Sequence, residues 1–351
     1  MIGIEICCLS KPSITIAERQ YKVKEYFPNY ILDCTLNYCY IYSMNITNKI
    51  YHDETAARKH LETMRWGDEI TCPHCGGVDK IKPAKMMSKP TKDKPTPEPV
   101  EGFYHCGDCR KRFTVRTGTV YERSHIPLHK WILATHLICA SKKGMSAHQL
   151  HRMIGVTYKS AWFMAHRIRE AMNESNPDIM GGEGKTIQAD ETYIGKKAAV
   201  RKRTKKGKPS HSSQLSVVAL ISGGKSRTFH VDRADAKSVY DILKSNVSMD
   251  SVLYTDESRL YTETGKGFQG HETVKHTAGE YYRDGVTTNN CENFFSIFKR
   301  GMKGIYQHCS EKHLQRYLSE FDFRYNTRDL TDMERAELAM KGAEGKRLMY
   351  A

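Results

Sequence analysis

Two Cys-x-x-Cys pairs constrain this chain more than any other feature, because four thiols at that spacing can surround one tetrahedral zinc ion. The pairs are Cys72 with Cys75 and Cys106 with Cys109, and 30 residues separate them. The usual separation is roughly 15–20 residues, and a Lys- and Pro-rich stretch at 82–102 accounts for the excess as a loop. The spacing therefore predicts a zinc ribbon with four Cys ligands; a pair of redox dithiols is the alternative.

The charge balance points to a polyanionic partner. The sequence has 351 residues, enough for two or more domains, and 55 Lys and Arg against 40 Asp and Glu give a formal charge of +15. Basic residues that neutralise phosphates release condensed counterions, so nucleic acid is the favoured partner. No run of 18 apolar residues occurs, so we expect no membrane span. Eleven cysteines without a disulfide pattern favour the cytoplasm.

Residues 145–172 have the pattern of a helix-turn-helix. Ser146 and Thr157 are candidate N-caps, and Gly155 is the expected turn between the helices. The residues expected to face outward, towards a DNA groove, are Tyr158, Lys159, His166, Arg167 and Arg169. The alternative is a helical hairpin that only packs, with its basic residues in solvent.

Three carboxylates follow one another on predicted secondary structure. The segment 185–195 alternates as a strand and carries Asp190, and a second strand at 251–258 contains Asp256. Glu292 lies on an amphipathic helix, 35 residues beyond Asp256. Each residue has a simpler interpretation, since Asp is common in turns and Glu292 could complete a capping box with Asn289.

Carboxylates gathered in one pocket raise each other's pKa unless a cation neutralises them. Hard oxygen ligands suit Mg²⁺ or Mn²⁺, and two such ions about 3.5–4 Å apart can assist phosphoryl transfer. Lys299 lies seven residues after Glu292, on the same side of the predicted helix. We therefore expect Asp190, Asp256 and Glu292 to bind two ions, with Lys299 approaching DNA phosphates.

A basic segment at 196–208 holds eight Lys and Arg and no acidic residue. Such a run is usually a solvated loop, but here it follows the strand that carries Asp190. We expect it to contact the DNA backbone. The residues proposed for that contact are Lys196, Lys197, Arg201, Lys202, Arg203, Lys205 and Lys206.

Several stretches resemble bacterial insertion-sequence transposases of the DDE class, in the branch with a zinc ribbon and an ISXO-like catalytic domain. They are "ADETYIGKK", "YTDES" and the long segment that begins "NNCENFFSIFKRG". The resemblance runs from about residue 44 to the end. It implies an α/β, multi-domain chain in which Asp190, Asp256 and Glu292 bind catalytic metal, Lys299 accompanies them and the four cysteines bind zinc.

Sequence patterns together with the resemblance, which does not cover residues 1–43, predict a division of the chain. The expected parts are an extension of uncertain role (1–43), a helical lead-in (44–68), the zinc ribbon (69–123), a helix-turn-helix-like segment (124–178), an RNase H-like mixed-sheet catalytic domain (180–330) and a tail (331–351).

The implied activity is cleavage and joining of double-stranded DNA at the terminal inverted repeats of an insertion sequence. Bringing two ends together implies a homodimer or larger homo-oligomer. Two alternatives remain: an RNase H-like nuclease or resolvase that does not join strands, and a zinc-ribbon DNA-binding regulator whose catalytic scaffold is inactive.

Overall fold

The computed structural model describes residues 46–87, 90, 95–195, 197 and 214–348, so the predicted extension at 1–43 lies outside the described residues. Helix α1 spans Glu54–Trp66, close to the start that the sequence predicts. Asp53 caps it, because its carboxylate accepts a hydrogen bond from the Ala56 N–H at 2.6 Å. Within the described ranges, no helix is long and apolar enough to cross a membrane.

Short strands follow α1 and surround the cysteines. Strands β1 (Ile81–Pro83), β4 (Tyr104–Cys106) and β5 (Arg112–Phe113) form an antiparallel sheet. The stretch 82–102, expected to be entirely loop, also contains the paired strands β2 (Met86–Met87) and β3 (Pro99–Val100). Pairing of β1 with β4 holds the two ends of this stretch side by side. Its two halves therefore run antiparallel, and β2 can form backbone hydrogen bonds with β3.

The next segment is helical, as predicted. Its helices are α2 (Leu128–Ala140), α3 (Ala147–Ile154) and α4 (Tyr158–Met172). The predicted local signals are confirmed: Ser146 and Thr157 cap α3 and α4 through their side chains, and Gly155 adopts a left-handed φ of 61°. Helical spacing predicts that Leu150, Met153 and Ile154 form the inward face of α3. Leu150 and Ile154 are buried, but Met153 is exposed, so the prediction is wrong for Met153.

The prediction that Arg167, Arg169 and His166 face a DNA groove is also wrong, because all three side chains are buried. Arg167 donates hydrogen bonds to the carbonyl oxygens of Val120 (2.6 Å) and Glu122 (3.0 Å). The end of α4 is covered by later parts of the chain, which the helical period of this segment cannot reveal. The exposed surface of α4 is therefore limited to its first turn.

The second half of the chain forms a five-stranded mixed sheet. Its strands are β6 (Thr186–Ile194), β7 (Leu215–Ser222), β8 (Lys225–Val231), β9 (Val252–Asp256) and β10 (Gly270–Val274). They lie in the order β10-β9-β6-β7-β8. Strand β7 is antiparallel to β6 and to β8, whereas β9 is parallel to β6 and to β10. This is the RNase H-like arrangement that the resemblance implies.

Helices cover both faces of this sheet. Helix α5 (Ala236–Asn246) packs Val239 and Leu243 against one face, and the short helix α6 (Thr262–Gly265) follows β9. Helices α7 (Asn289–Gly301) and α8 (Leu314–Asn326) cover the other face. The buried side chains on α7 are Cys291, Phe294, Phe295 and Phe298. A π-helical turn at Met302–Tyr306 follows α7.

The last helix, α9 (Asp332–Lys341), lies in the stretch expected to be a tail, and it completes the core of the helical segment. Its buried residues are Ala336, Ala339 and Met340, which join the apolar side chains of α2, α3 and α4. A capping box between Thr331 and Glu334 starts this helix.

A buried ion pair joins the helical segment to the sheet domain. Arg169 on α4 contacts the Glu320 carboxylate of α8 at 2.6 Å, and Arg324 contacts the same carboxylate at 2.5 Å. The Tyr306 hydroxyl also donates to it at 2.6 Å. Burial alone would raise the pKa of Glu320, but the two guanidinium groups outweigh burial and lower it from 4.5 to about 2.

We expect Glu320→Gln to reduce the free energy of unfolding by about 3–5 kcal/mol at pH 7, because it leaves buried guanidinium groups without their counter-charge. The lowered pKa means that the carboxylate stabilises the fold fully above pH 4.5. That contribution is lost as the pH falls towards 2. The difference in free energy of unfolding between wild type and variant should therefore become smaller. Urea unfolding between pH 7 and 3 measures it, with exposed Glu183→Gln as the control. A difference that does not change with pH contradicts the assignment.

Candidate active site and zinc site

The four predicted zinc ligands meet in one place. Sγ of Cys72 lies 3.7 Å from Sγ of Cys109, and Sγ of Cys75 lies 3.7 Å from Sγ of Cys106. All four sulfurs lie within 4.8 Å of one another. Zinc–sulfur bonds of about 2.3 Å in a tetrahedron require sulfur separations close to the 3.7 Å of these two pairs. The cluster thus has the donor type, number and spacing of a structural zinc site.

The thiols of the cluster differ in acidity. The hydrogen bond from the Gly77 N–H is outweighed by burial and by hydrogen bonds with neighbouring thiols, so the pKa of Cys75 is raised to about 12, and the pKa of Cys109 is also raised. Hydrogen bonds from the backbone N–H groups of Cys109 and Asp108 lower the pKa of Cys106 to about 7, against the opposing effect of burial. A thiol with a lowered pKa supplies a thiolate ligand more readily. Cys72 and Cys106 are also buried, together with Phe113, in a small core of their own.

Strand register places Asp190 and Asp256 side by side. Strands β6 and β9 are parallel neighbours, with Gln188 paired to Tyr254. The same register continued by two residues brings Asp190 level with Asp256, which is the last residue of β9. The Asp256 carboxylate accepts a hydrogen bond from the Ser258 N–H at 3.0 Å, which fixes it at the end of its strand.

Glu292 reaches the same region from α7. Helix α7 packs across the sheet face to which Asp190 belongs, and the Asn290 N–H donates to the side chain of Gln188 on β6 at 3.1 Å. The proposed capping box is not observed, because Thr288 is the N-cap and no side chain makes the capping bond. Instead Glu292 lies 3.5 Å from Nδ1 of His276. Nε2 of His276 lies 3.2 Å from the Thr288 hydroxyl, so the imidazole spans the start of the helix.

The carboxylates influence each other strongly. Burial, followed by the negative charges of Glu191 and Asp256, raises the pKa of Asp190 from 3.8 to about 8, and Glu292 adds to the shift. A carboxyl with such a pKa is largely protonated at neutral pH, because burial and the neighbouring carboxylates both disfavour its charged form. The region therefore favours a cation that would neutralise it.

Among the described residues, the cysteines are the one set of three or more potential ligands whose donor atoms all lie within 4.8 Å. The three carboxylates thus share a region without converging on one point.

Lys299 lies within the electrostatic influence of the carboxylates. It lies on α7, two turns after Glu292. Burial lowers its pKa, the charge of Asp190 opposes that shift, and Lys303 adds to it. The ammonium group is thus half-buried within the field of Asp190.

Glu191 is a neighbour that sequence reasoning passed over. Its carboxylate accepts a hydrogen bond from the Tyr261 hydroxyl at 2.8 Å, and Tyr261 is fully buried. Burial also raises the pKa of Glu191. The only sequence signal was its position beside Asp190, since strand alternation points it to the opposite face.

The residues predicted to contact DNA are not all described. Tyr158 and Lys159 are exposed at the start of α4, where Tyr158 stacks on His148 with 4.3 Å between ring centroids. The Lys197 ammonium donates a hydrogen bond to the carbonyl oxygen of Asp232. The predicted contacts outside the described residues are Lys196, Arg201, Lys202, Arg203, Lys205 and Lys206.

The mixed sheet with carboxylates on neighbouring strands, preceded by a four-cysteine cluster, defines a zinc-ribbon protein with an RNase H-like domain. Family models match both parts: residues 52–112 match the transposase zinc-ribbon domain, and residues 181–326 match the ISXO2-like transposase domain. The chain belongs to the insertion-sequence transposases that combine these two domains.

Known proteins provide two further comparisons. A protein in the transposable element ISH50 of Halobacterium salinarum is 27% identical over 293 residues, which cover 79% of this chain and 92% of the relative. A cryo-EM structure of a simian T-cell lymphotropic virus intasome with PP2A regulatory subunit B56 gamma aligns over 53% of this chain and 64% of that chain. Its identity is 13% and its TM-score 0.26, too low to support an argument.

Proposed function

We propose that this transposase binds the terminal inverted repeats of its insertion sequence and catalyses metal-dependent strand cleavage and strand transfer. The observation that carries the proposal is the level placement of Asp190 and Asp256 on neighbouring parallel strands, with Glu292 above the same sheet face. Burial and the neighbouring carboxylates, which together raise the pKa of Asp190, support it. The protein would act on DNA in the cytoplasm.

Asp190, Asp256 and Glu292 would hold two Mg²⁺ or Mn²⁺ ions, because carboxylate oxygens are the donors that these hard cations prefer. When bound, such ions activate the attacking oxygen and stabilise the leaving oxygen in phosphoryl transfer. The Asp190 carboxyl would give up its proton on binding a cation. The Tyr261 hydroxyl would hold the neighbouring Glu191 carboxylate in place.

Lys299 would contact a DNA phosphate next to the carboxylates. Its position two turns from Glu292 on α7 supports this role. The Lys299 ammonium would also limit repulsion between the DNA backbone and the acidic residues. The basic segment at 196–208, which includes Lys197, would add contacts to the backbone without reading sequence.

Recognition of the repeat would fall to the zinc ribbon and to the exposed residues of α3 and the first turn of α4. Arg167 and Arg169 have no part in this surface, since both are buried. Joining requires two ends in one complex, so we propose a homodimer or larger homo-oligomer as the active species.

Lys159→Ala is expected to weaken binding to repeat DNA several-fold at physiological salt. The slope of log K against log salt should fall by about 1, because one phosphate contact is lost. Fluorescence anisotropy across a salt series measures both quantities. Lys237→Ala is the matched control, since Lys237 is also exposed but lies on α5. If the two variants had equal slopes of log K against log salt, Lys159 would not contact a DNA phosphate.

The deciding experiment incubates the purified protein with labelled DNA that carries the repeat ends, with Mg²⁺, Mn²⁺ or EDTA, and maps every product to the nucleotide. We expect metal-dependent cuts at the ends and strand-transfer products. Cuts without joining would support a nuclease or resolvase instead. Specific binding with neither cutting nor joining would support a regulator with an inactive scaffold.

A further inference from the structure

Two adjacent tyrosines stand out on the surface of the sheet domain. Tyr281 is 54% exposed and Tyr282 is 65% exposed, more than any other aromatic side chain in the described ranges. Exposed phenol rings leave apolar surface in water that a partner could cover. Neither ring belongs to the carboxylate site or to the helix-turn-helix described above.

A tight turn holds the tyrosines in place. Arg283 and Val286 form two backbone hydrogen bonds, of 3.1 and 2.8 Å, around Asp284 and Gly285. These two central residues have φ values of 49° and 90°, the positive values of a two-residue hairpin turn. The Arg283 guanidinium donates to the carbonyl oxygen of Thr273 on β10 at 2.9 Å, and Val286 is buried. The segment is therefore fixed to the edge of the sheet.

The same segment touches the carboxylate site. The ring of Tyr281 lies 5.2 Å from the imidazole of His276, measured between centroids. His276 in turn contacts Glu292 at 3.5 Å and Thr288 at 3.2 Å. One imidazole thus separates Tyr281 from the third proposed metal ligand, and Tyr282 is the next residue along the chain.

We propose that Tyr281 and Tyr282 form a stacking surface for an unpaired DNA base next to the phosphate that is cut. This inference rests on the proposed function. An aromatic ring stacks on any base because every base has a π face, but a base inside a duplex is already stacked on its neighbours. The surface therefore accepts a base that has left the helix at the end of the element.

The placement favours a base over an apolar protein partner. The rings lie beside a strongly charged region that must admit a DNA strand for the proposed reaction. A protein covering the tyrosines would have to share that space. An extruded base can occupy this position, because the DNA backbone joins it directly to the neighbouring phosphate that is cut.

The test uses repeat-end duplexes in which an unpaired 2-aminopurine stands at each position that flanks the mapped cut, because a 2-aminopurine stacked inside a duplex is already quenched. They are bound in Ca²⁺ to the full chain, and 2-aminopurine fluorescence reports stacking. Wild type should quench the fluorescence at one position. Tyr282→Ala should lose that quenching and bind an end with an unpaired base about tenfold more weakly. Tyr282→Phe should retain both, because the ring is kept.

Tyr240→Ala is the matched control, since Tyr240 is 42% exposed but lies on α5, on the other face of the sheet. If the wild type cuts repeat ends and Tyr282→Ala behaves like Tyr240→Ala, the stacking surface is refuted while the transposase proposal stands. If the wild type neither binds nor cuts repeat ends, the proposed function itself fails. A Tyr282→Ala variant that changes self-association in sedimentation, with DNA binding intact, would make the tyrosines a protein contact and overturn the inference.

Discussion

Replacing Asp190 by Asn is expected to slow metal-dependent cleavage of repeat DNA by about a thousandfold or more. The substitution keeps the shape of the side chain but removes the charge that would bind a cation. Loss of several kcal/mol of transition-state stabilisation corresponds to such a factor, at about 1.4 kcal/mol for each tenfold. Single-turnover cleavage of labelled ends measures the effect, and anisotropy should show that the variant still binds the ends.

Asp241→Asn provides the control for this experiment. Asp241 is exposed on α5, away from the face that carries Asp190, so its cleavage rate should equal that of the wild type. Thermal unfolding should show that Asp190→Asn is folded. In the absence of metal it is expected to be no less stable than wild type, because Asn replaces a carboxyl whose ionisation is unfavourable there. Cleavage by Asp190→Asn at the wild-type rate would exclude a catalytic role for the residue.

The second large effect concerns the zinc ribbon. Cys72→Ser is expected to lower the zinc content from one ion per chain to almost none at micromolar free zinc and to unfold the ribbon. The small core around Cys72, Cys106 and Phe113 is too limited to hold that part of the chain without metal. Zinc quantification after chelator dialysis and limited proteolysis of residues 69–123 measure both changes.

Cys309→Ser separates ligand loss from a general effect of removing a thiol. Cys309 lies outside the cluster, after the π-helical turn, so the variant should keep its zinc. The sheet domain should remain folded in Cys72→Ser, because its two cores contain no residue of the ribbon. Full zinc content in Cys72→Ser would contradict the ligand assignment.

Local sequence signals predicted local structure well. Ser146, Gly155 and Thr157 act on backbone groups within four residues of themselves, so the limits of α3 and α4 follow from the sequence alone. The strands β6 and β9 likewise follow from patterns in the sequence. Their order in the sheet came from the family resemblance, because pairing between distant strands leaves no local pattern.

Long-range burial is what the sequence could not reveal. Arg169 has the position of a solvent-facing residue, but its partner Glu320 lies 151 residues further along the chain. A helical period reports which residues share a face and does not report what later covers that face. The same limit applies to Glu191, whose neighbour Tyr261 lies 70 residues away, and to His276 beside Glu292.

The candidate site could also be predicted only in part from the sequence. Asp190 and Asp256 could be proposed because each lies on a predicted strand, and the structure places them level. Their role in catalysis stays a prediction. The distances among the carboxylates, and the contact between His276 and the start of α7, required the packing of α7 on the sheet.

The buried contact between Arg169 and Glu320 has a geometric consequence. It fixes the helical segment that carries α3 and α4 to the domain that carries the carboxylates. Under the proposed function, the bases that this segment would recognise therefore lie a set number of nucleotides from the bonds that would be cut. The protein would then fix the position of the cut by its distance from the recognised sequence. Inserting one base pair between the recognised sequence and the terminus should move the cut by one nucleotide into the element, away from the true end.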